Sequence, residues 1–344
     1  MTARSGSMAE NRESTEPDNS TSGNVVIKDL HPPVRDQRAE ILQGLVQEQK
    51  TIDPKYFYDN QGSGLFEQIT ELPEYYPTRT ERLILKDNAE AMAEVCGPNS
   101  VLVEPGSGSS EKVRLLLDAL KPATYVPMDI SEEFLEESAY RLAEEYPWLH
   151  IHAICTDFSI LEKDPEGLPE GKRVIFYPGS TLGNMNPADS IGFLRNLGHW
   201  LDDDGGVLIG IDMHKSTAVL EAAYNDSQGV TARFNLNVLN NINELMGGDF
   251  DTACFEHRAF YNRNKYRIEM HLVSKRDQVV TLGDTKIGLT TGETIHTENS
   301  YKYTPERFQE IAGQAGFSVQ SSWSDEQDLF SVHYLSLNGK HWEP

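Results

Sequence analysis

Three acids stand at the ends of three short, largely apolar runs: Glu104 after Val101-Leu102-Val103, Asp129 after 124–128, and Asp157 after 150–155. A carboxylate is a two-pronged acceptor, able to take two hydroxyls or an amino group. In open α/β sheets ligands sit at the carboxyl ends of strands. One such acid is usually a solvated turn or a helix cap, but three at consecutive strand ends favour a site. Between the first two lies Gly106-Ser107-Gly108, and then Ser109 or Ser110, either of which can cap a helix over 111–120. A strand, a glycine turn and a helix N-terminus together can hold a nucleotide-like cofactor, with the backbone passing where a Cβ would collide. Asp129, about twenty residues beyond the turn, suits the ribose hydroxyls. Asp157 can accept from an adenine amino group, and Phe158 can pack on the ring.

The turn alone leaves two cofactor classes open. A dinucleotide fingerprint has a third glycine where Glu111 stands. The pattern Glu104-Pro105-Gly106-Ser107-Gly108 instead resembles the first motif of class I S-adenosylmethionine (SAM) methyltransferases, which would put Glu104 near the sulfonium or its amino-acid part. Pro105 removes one backbone donor there.

The elements that must position these groups alternate. Strands at 101–103, 124–128, 150–155, 173–177 and 206–211, separated by helical stretches, predict a parallel, doubly wound sheet. Segment 73–79 reads as extended, with Thr80 capping a helix to about 95. After 213 the pattern breaks. Residues 217–244 read as helical, and 255–258, 266–274, 278–282 and 294–301 as antiparallel strands. A helix from Thr304 and two strands, 318–323 and 329–337, close the chain. A terminal hairpin on a parallel sheet resembles the class I methyltransferase arrangement, not the dehydrogenase one. The fold class expected is α/β: a Rossmann-like sheet of parallel strands plus a terminal antiparallel hairpin, with a second α+β substrate-binding domain. The expected division is a disordered tail at 1–24, a cofactor domain of 80–213 and 303–344, and a substrate domain of 25–79 and 214–302.

Composition narrows the partners. Asp and Glu number 54 against 30 Lys and Arg, a formal net charge of −24, with no basic cluster. That argues against nucleic acid and anionic membranes. The three cysteines, Cys96, Cys155 and Cys254, are scattered, as in a reduced cytoplasmic protein. No run is long enough to span a membrane and no signal segment opens the sequence. The histidines show no metal-ligand spacing, so no metal is expected.

Tyr58, Tyr75, Tyr76 and Tyr224 fall outside the sheet, either as packing between domains or as a lining for a cationic ligand. Here a specific resemblance enters. Tyr56-Phe57-Tyr58-Asp59 with Gly62-Ser63, Leu72-Pro73-Glu74-Tyr75-Tyr76-Pro77-Thr78-Arg79, Glu104 to Lys112, Gly179-Ser180-Thr181-Leu182-Gly183-Asn184, Ala223-Tyr224-Asn225-Asp226, Phe255-Glu256-His257, Ile268-Glu269-Met270 and Glu298-Asn299-Ser300-Tyr301-Lys302 occur in that order. Together they resemble the histidine Nα-methyltransferase family of ergothioneine biosynthesis, over nearly everything after about residue 30.

The resemblance implies conversion of L-histidine to its trimethylammonium betaine, hercynine, with three SAM molecules as methyl donors. It implies that Gly106, Lys112, Asp129, Asp157 and Phe158 meet the cofactor. Tyr75, Asn184 and Tyr224 would hold the carboxylate and amine end of histidine. Glu298 and Ser300, with Asn299 between them, would grip the imidazole, and Tyr58 and Met270 would line the pocket. On an extended segment residues 298 and 300 share a face, so a carboxylate and a hydroxyl can read both ring nitrogens. Tyrosine rings at 58, 75 and 224 suit a growing cation, and a tyrosine hydroxyl or a water can relay the amine proton. The expected protein is a cytoplasmic monomer acting on free histidine. A methyltransferase for another amine, a SAM-binding protein without catalysis and, more weakly, a nicotinamide dehydrogenase are the competing readings.

Overall fold

The computed structural model describes residues 19–30, 37–161 and 163–339. Strands β1 (Asn19–Ser22) and β2 (Val25–Asp29) come first, then α1 (Gln37–Leu45), the two-residue β3 (Lys50–Thr51), α2 (Asn60–Thr70), α3 (Tyr76–Asp87) and α4 (Ala89–Cys96). An alternating stretch follows: β4 (Val101–Pro105), α5 (Arg114–Leu120), β5 (Thr124–Asp129), α6 (Glu132–Glu145), β6 (His150–Cys155), β7 (Arg173–Tyr177), α7 (Pro187–His199) and β8 (Gly206–Asp212). Next are α8 (Thr217–Tyr224), α9 (Val230–Met246), β9 (Phe255–Asn262), β10 (Arg267–Ser274), β11 (Gln278–Leu282), β12 (Thr285–Leu289) and β13 (Thr294–Tyr301). The last elements are α10 (Pro305–Gln314), β14 (Phe317–Ser324) and β15 (Phe330–Leu337).

The large sheet has the order β1-β2-β6-β5-β4-β7-β8-β15-β14. Its six inner strands, β2 to β8 without β3, run parallel. β15 lies antiparallel to β8 and to β14, so the expected closing hairpin is present. Apolar runs such as Val101-Leu102-Val103 and Val207-Leu208-Ile209 are buried throughout because helices cover both faces. Leu102, Phe176 and Leu208 pack into one face's core, and Val103, Tyr177 and Ile209 into the other's, the alternation a pleat requires. The chain leaves β4 with β5 on one side and β7 on the other. The glycine turn therefore sits where the strand order reverses, the crevice in which such sheets bind ligands.

A second sheet, β3-β13-β10-β9, and the separate β11-β12 hairpin belong to the smaller unit. Its own core joins Ile41 and Leu45 of α1, Phe57, Leu65 of α2, Phe234 and Val238 of α9, and Ile268 and Leu272 of β10.

The structure departs from the sequence expectation in several places, among them a break at Asn88 in the helix expected to run on to about 95. Asn19–Ser22 is a strand, not tail, because a left-handed Gly23 turns it back onto β2. Its polar residues carry no strand signal of their own. β2, expected in the substrate domain, lies in the large sheet beside β6, burying Val25 and Ile27. Helix α3 starts at Tyr76 and not at Thr80, since Pro77 fits a first helical turn, where no amide bond is lost. Helix α5 starts at Arg114 and not at Glu111. Ser110 has a left-handed φ of 54° and caps nothing. The 217–244 stretch breaks at Asn225, and Asp226 accepts from the amides of Val230 and Thr231 to start α9. Finally β12 was not expected. The two-residue Gly283-Asp284 turn, a hairpin signal, folds it onto β11.

Candidate functional site

The cofactor side begins at the end of β4. Gly106 and Gly108 have φ of 72° and 51°, a backbone that other residues rarely adopt. A Cβ on Gly106 would lie 3.2 Å from two atoms of the Phe158 ring, so glycine lets that ring close on the turn. Gly108 donates its amide to Asp129 Oδ2 at 3.2 Å, and Ser131 to Asp129 Oδ1 at 3.1 Å. Each carboxylate oxygen keeps a lone pair for a further donor. Burial raises the Asp129 pKa, and these amides oppose the rise. Asp157 starts the short turn Phe158–Ile160, accepting from Ser159 N at 3.1 Å, and this swings Phe158 toward Gly106. The structure thus brings Gly106, Asp129 and Phe158 together, with Asp157 at their edge. A narrow turn, a two-pronged carboxylate and a half-buried ring fit a cofactor with vicinal hydroxyls and a flat base.

Glu104 and Lys112 take other partners. Glu104 is 3% exposed and accepts a short hydrogen bond from Tyr125. Burial pushes its pKa up to about 8, against the pull of Tyr125 and Lys112. Lys112 reaches Glu81 of α3 at 2.6 Å, and Glu81 also accepts from Gly179 N at 2.7 Å. A Cβ on Gly210 would lie 2.0 Å from Glu81 Oε1, so the glycine makes room for this 1% exposed acid. Glu81 ties the cofactor turn to the loop that carries Asn184. Its sequence context, Thr80-Glu81-Arg82, reads as an ordinary helix surface, so nothing local could have singled it out.

The substrate side is built on β13. Glu298 faces Met270 across the β10 ladder, and Ser300 faces Ile268. The Tyr224 hydroxyl, at the end of α8, donates to Ser300 Oγ at 2.8 Å. Tyr75 meets the Tyr224 ring edge-on at 6.4 Å, and Phe66 meets Tyr75 at the same distance. Tyr58 packs its edge on Phe66 at 5.7 Å and on Phe234 at 5.9 Å. Desolvation, then the nearby Glu298, holds the Tyr224 phenol well above its ordinary pKa. The same causes, with the neighbouring phenols, raise Tyr58 and Tyr75. Burial pushes Glu298 up to about 7, and Lys302 pulls against it. All three phenols therefore stay protonated at neutral pH. Asn184 ends the turn Thr181–Asn184 and borders a cavity of about 360 Å³ with Glu298 and Asn299. Asn299 Oδ1 is buried without a hydrogen-bond partner among the described residues.

Ser300 and Tyr224 also join a buried network of which the sequence carried no direct sign. Asp212, at the end of β8, takes Lys302 Nζ at 2.6 Å on one oxygen and Lys215 Nζ at 2.6 Å on the other. The Tyr76 hydroxyl donates to the same carboxylate at 2.7 Å. Burial works to raise the Asp212 pKa, but the two lysines outweigh it and hold it below its ordinary value. Burial lowers Lys215 to about 8, against the pull of Asp212. Lys302 also reaches Ser300 Oγ at 2.7 Å. The one available signal was a lysine two residues beyond Ser300, on an alternating strand.

A second unforeseen cluster joins Glu269, His271 and His296, whose potential ligand atoms lie within 4.8 Å of one another. The Arg267 guanidinium contacts Glu269 at 2.6 and 2.7 Å, so a cation already occupies that carboxylate. Burial opposes, but the bonds from Arg267 and His271 hold Glu269 down at about 2.

Residues 37–337 match the family described as histidine-specific, SAM-dependent methyltransferases. The chain is 40% identical over 302 residues to the histidine N-alpha-methyltransferase of Mycolicibacterium smegmatis, covering 86% of this chain and 93% of that one. It is 40% identical over 310 residues to that of Mycobacterium tuberculosis, covering 88% and 94%. Against ergothioneine biosynthesis protein 1 of Neurospora crassa the identity is 32% over 292 residues, covering 81% of this chain and 32% of the fungal one. Among solved structures, the CcbJ methyltransferase of Streptomyces caelestis aligns with a TM-score of 0.44 at 14% identity, covering 74% and 90%.

Proposed function

The chain belongs to the histidine-specific, SAM-dependent methyltransferase family, and from that premise we propose how its two half-sites divide the work. The activity is SAM-dependent methylation of the α-amino group of L-histidine, in ergothioneine synthesis. When bound, SAM supplies an electrophilic methyl group on an already positive sulfur. Gly106, Asp129, Asp157, Phe158 and Lys112 are assigned to it.

Histidine is assigned to the other half. Glu298 accepts from one ring nitrogen and Ser300 meets the other, while Tyr75, Asn184 and Tyr224 hold the carboxylate and the amine. The observation that carries this is that Tyr75 meets the Tyr224 ring, Tyr224 bonds Ser300, and Glu298 lies close enough to raise both phenols, although the four come from three separated stretches of chain. The half-site orients the amine, and its protonated phenols donate to the substrate or pass a proton on; they do not abstract one. The ring faces of Tyr58, Tyr75 and Tyr224 tolerate a cation that gains methyl groups, where a fixed carboxylate would bind the first ammonium too tightly. Such a lining supports three successive transfers, to the trimethylammonium product hercynine.

Both half-sites come from one chain, which supports a monomer as the working unit. No described helix is long and apolar enough to cross a membrane. The net charge of −24 supports a protein that meets free histidine and not the phosphates of nucleic acid or anionic lipid, and the reading assigns it to the cytoplasm, where free histidine is at hand. The test is mass spectrometry of histidine incubated with SAM and the protein, beside tryptophan derivatives. A gain of three methyl groups on histidine alone is expected. Methylation of tryptophan derivatives in place of histidine, or of neither, overturns the assignment.

A further inference from the structure

Lys302 is a cation with almost no access to solvent: it is 1% exposed, 2.6 Å from Asp212 Oδ2, 2.7 Å from Ser300 Oγ and 3.4 Å from the Tyr224 hydroxyl. An ammonium has three protons and no lone pair, so it can only donate. Tyr224 donates to the same serine oxygen at 2.8 Å. A hydroxyl oxygen has two lone pairs, and both are now taken. What remains to Ser300 is its own proton.

We infer that Lys302 is a specificity-determining positioning residue: together with Tyr224 it turns Ser300 into an obligate donor, so the pocket selects histidine with a bare ring nitrogen toward Ser300 and an N–H toward Glu298. This rests on the reading that places the histidine ring between Glu298 and Ser300. The site then selects a protonation state as well as a side chain: the neutral imidazole, in one tautomer. The charge on the Ser300 side works in the same direction: Lys302 and Lys215 share the single carboxylate of Asp212, and the positive charge left in excess there offsets the negative charge of Glu298 across the ring. An imidazolium would bring its N–H against a hydroxyl that has nothing to accept with, and a second positive charge against that ammonium. Glu298 carries the complementary half of the code, since an ionised carboxylate accepts and never donates. A side chain without a bare nitrogen on the Ser300 side, such as an indole, strands the serine proton in a buried place.

The test uses the full chain with ring-15N-labelled histidine and S-adenosylhomocysteine. Spectra are recorded with saturating histidine from pH 6 to 8, a range that spans both the ordinary imidazole pKa of about 6.5 and the Glu298 value of about 7, and are read where Glu298 is ionised. One protonated and one bare ring nitrogen are expected in the complex. Two protonated nitrogens would mean that Ser300 spends its proton on Tyr224, and would overturn the inference. In kinetics, Lys302→Met is expected to raise the KM for histidine about 10- to 100-fold, the range for losing a charged hydrogen bond. The KM for SAM should change by no more than about twofold, and Lys302→Arg should recover part of the loss. A Lys302→Met variant with an unchanged histidine KM, or with equal losses for both substrates, also overturns it. The wild-type spectrum needs no variant to fold. If the wild type methylates histidine but holds it as imidazolium, only this inference fails. If it neither binds nor methylates histidine, the function reading fails with it.

Discussion

The two half-sites are assembled by different means. The cofactor half is local and made of backbone: Gly106, Gly108 and Asp129 are about twenty residues apart, and their contacts are amides and a ring edge. The substrate half is made of side chains from distant stretches: Tyr76, Asp212, Lys215, Tyr224, Ser300 and Lys302 hold one another across sequence separations of up to 139 residues. Backbone recognition suits a cofactor shared by many enzymes, because it depends on the turn's shape and tolerates changes around it. A side-chain network suits one substrate, because each donor and acceptor in it is fixed by the next. The same network joins the two units of the fold, so in this half selectivity and stability rest on the same atoms.

That difference gives its largest expected effect at Asp212. Asp212→Ala leaves Lys302 and Lys215 buried and unpaired, and should cost about 3–5 kcal/mol in chemical denaturation. Asp129→Ala, which loses neutral amide contacts such as those of Gly108 and Ser131 and strands no charge, should cost no more than about 1–2 kcal/mol. Equal losses would break the comparison, since the substrate half would then be no more integral to the fold than the cofactor half. In steady-state kinetics the contrast should appear in KM. Glu298→Ala is expected to raise the histidine KM about 10- to 100-fold with little change for SAM, the scale of one charged hydrogen bond. Asp129→Ala should do the reverse. Equal losses for both substrates in either variant would remove its assigned role.

The pH dependence sharpens the same contrast. Burial pushes Glu298 up to about 7, so its carboxylate is a full acceptor only above that value. As pH falls below about 7 the histidine KM should rise, approaching tenfold per unit from Glu298 and more steeply below about 6.5, where the free imidazole protonates too, while the SAM KM stays flat. Stability should move the other way. Between its ordinary value and about 7, the folded state binds more protons at Glu298 than the unfolded chain does. Stability of the ligand-free protein is thus lowered as pH rises through that window. Glu298→Gln should remove the Glu298 contribution to both trends. A histidine KM flat from pH 6 to 8 would place the controlling ionisation elsewhere.

The contrast also governs what the sequence made legible. Period and punctuation exposed the parallel strands, the closing hairpin and the glycine turn, because each is a local pattern with a backbone cause. The grouping of Tyr75, Tyr224, Glu298 and Ser300 came through resemblance to a family, since no spacing rule links positions 75 and 300. Glu81 and Lys302 stayed hidden for a physical reason. A charged residue on a helix or strand reads as solvated, and only the fold shows that Gly210 clears space for one and Asp212 neutralises the other. β1 escaped notice because its order comes from its partner and not from its own four polar residues.

The smallest expected effect falls on Tyr58, and it separates a ring's role from a hydroxyl's. Tyr58 is 47% exposed, at the mouth of the aromatic row, and its ring rests on Phe66 and Phe234. Desolvation, then Glu298, raises its pKa from an ordinary value already well above neutrality, so the phenol stays protonated and does not take a proton from the amine as a phenolate. Tyr58→Phe keeps the ring, and with it the face offered to a cation. It should lower kcat by less than about tenfold, well short of the 10²–10⁴ that removing a general base costs. Tyr224→Phe, which also frees one lone pair of Ser300, should be the more damaging of the two and should act on the histidine KM. If Tyr58→Phe instead costs about a hundredfold or more in kcat at every pH, Tyr58 is the base after all. The substrate half would then do proton chemistry as well as recognition.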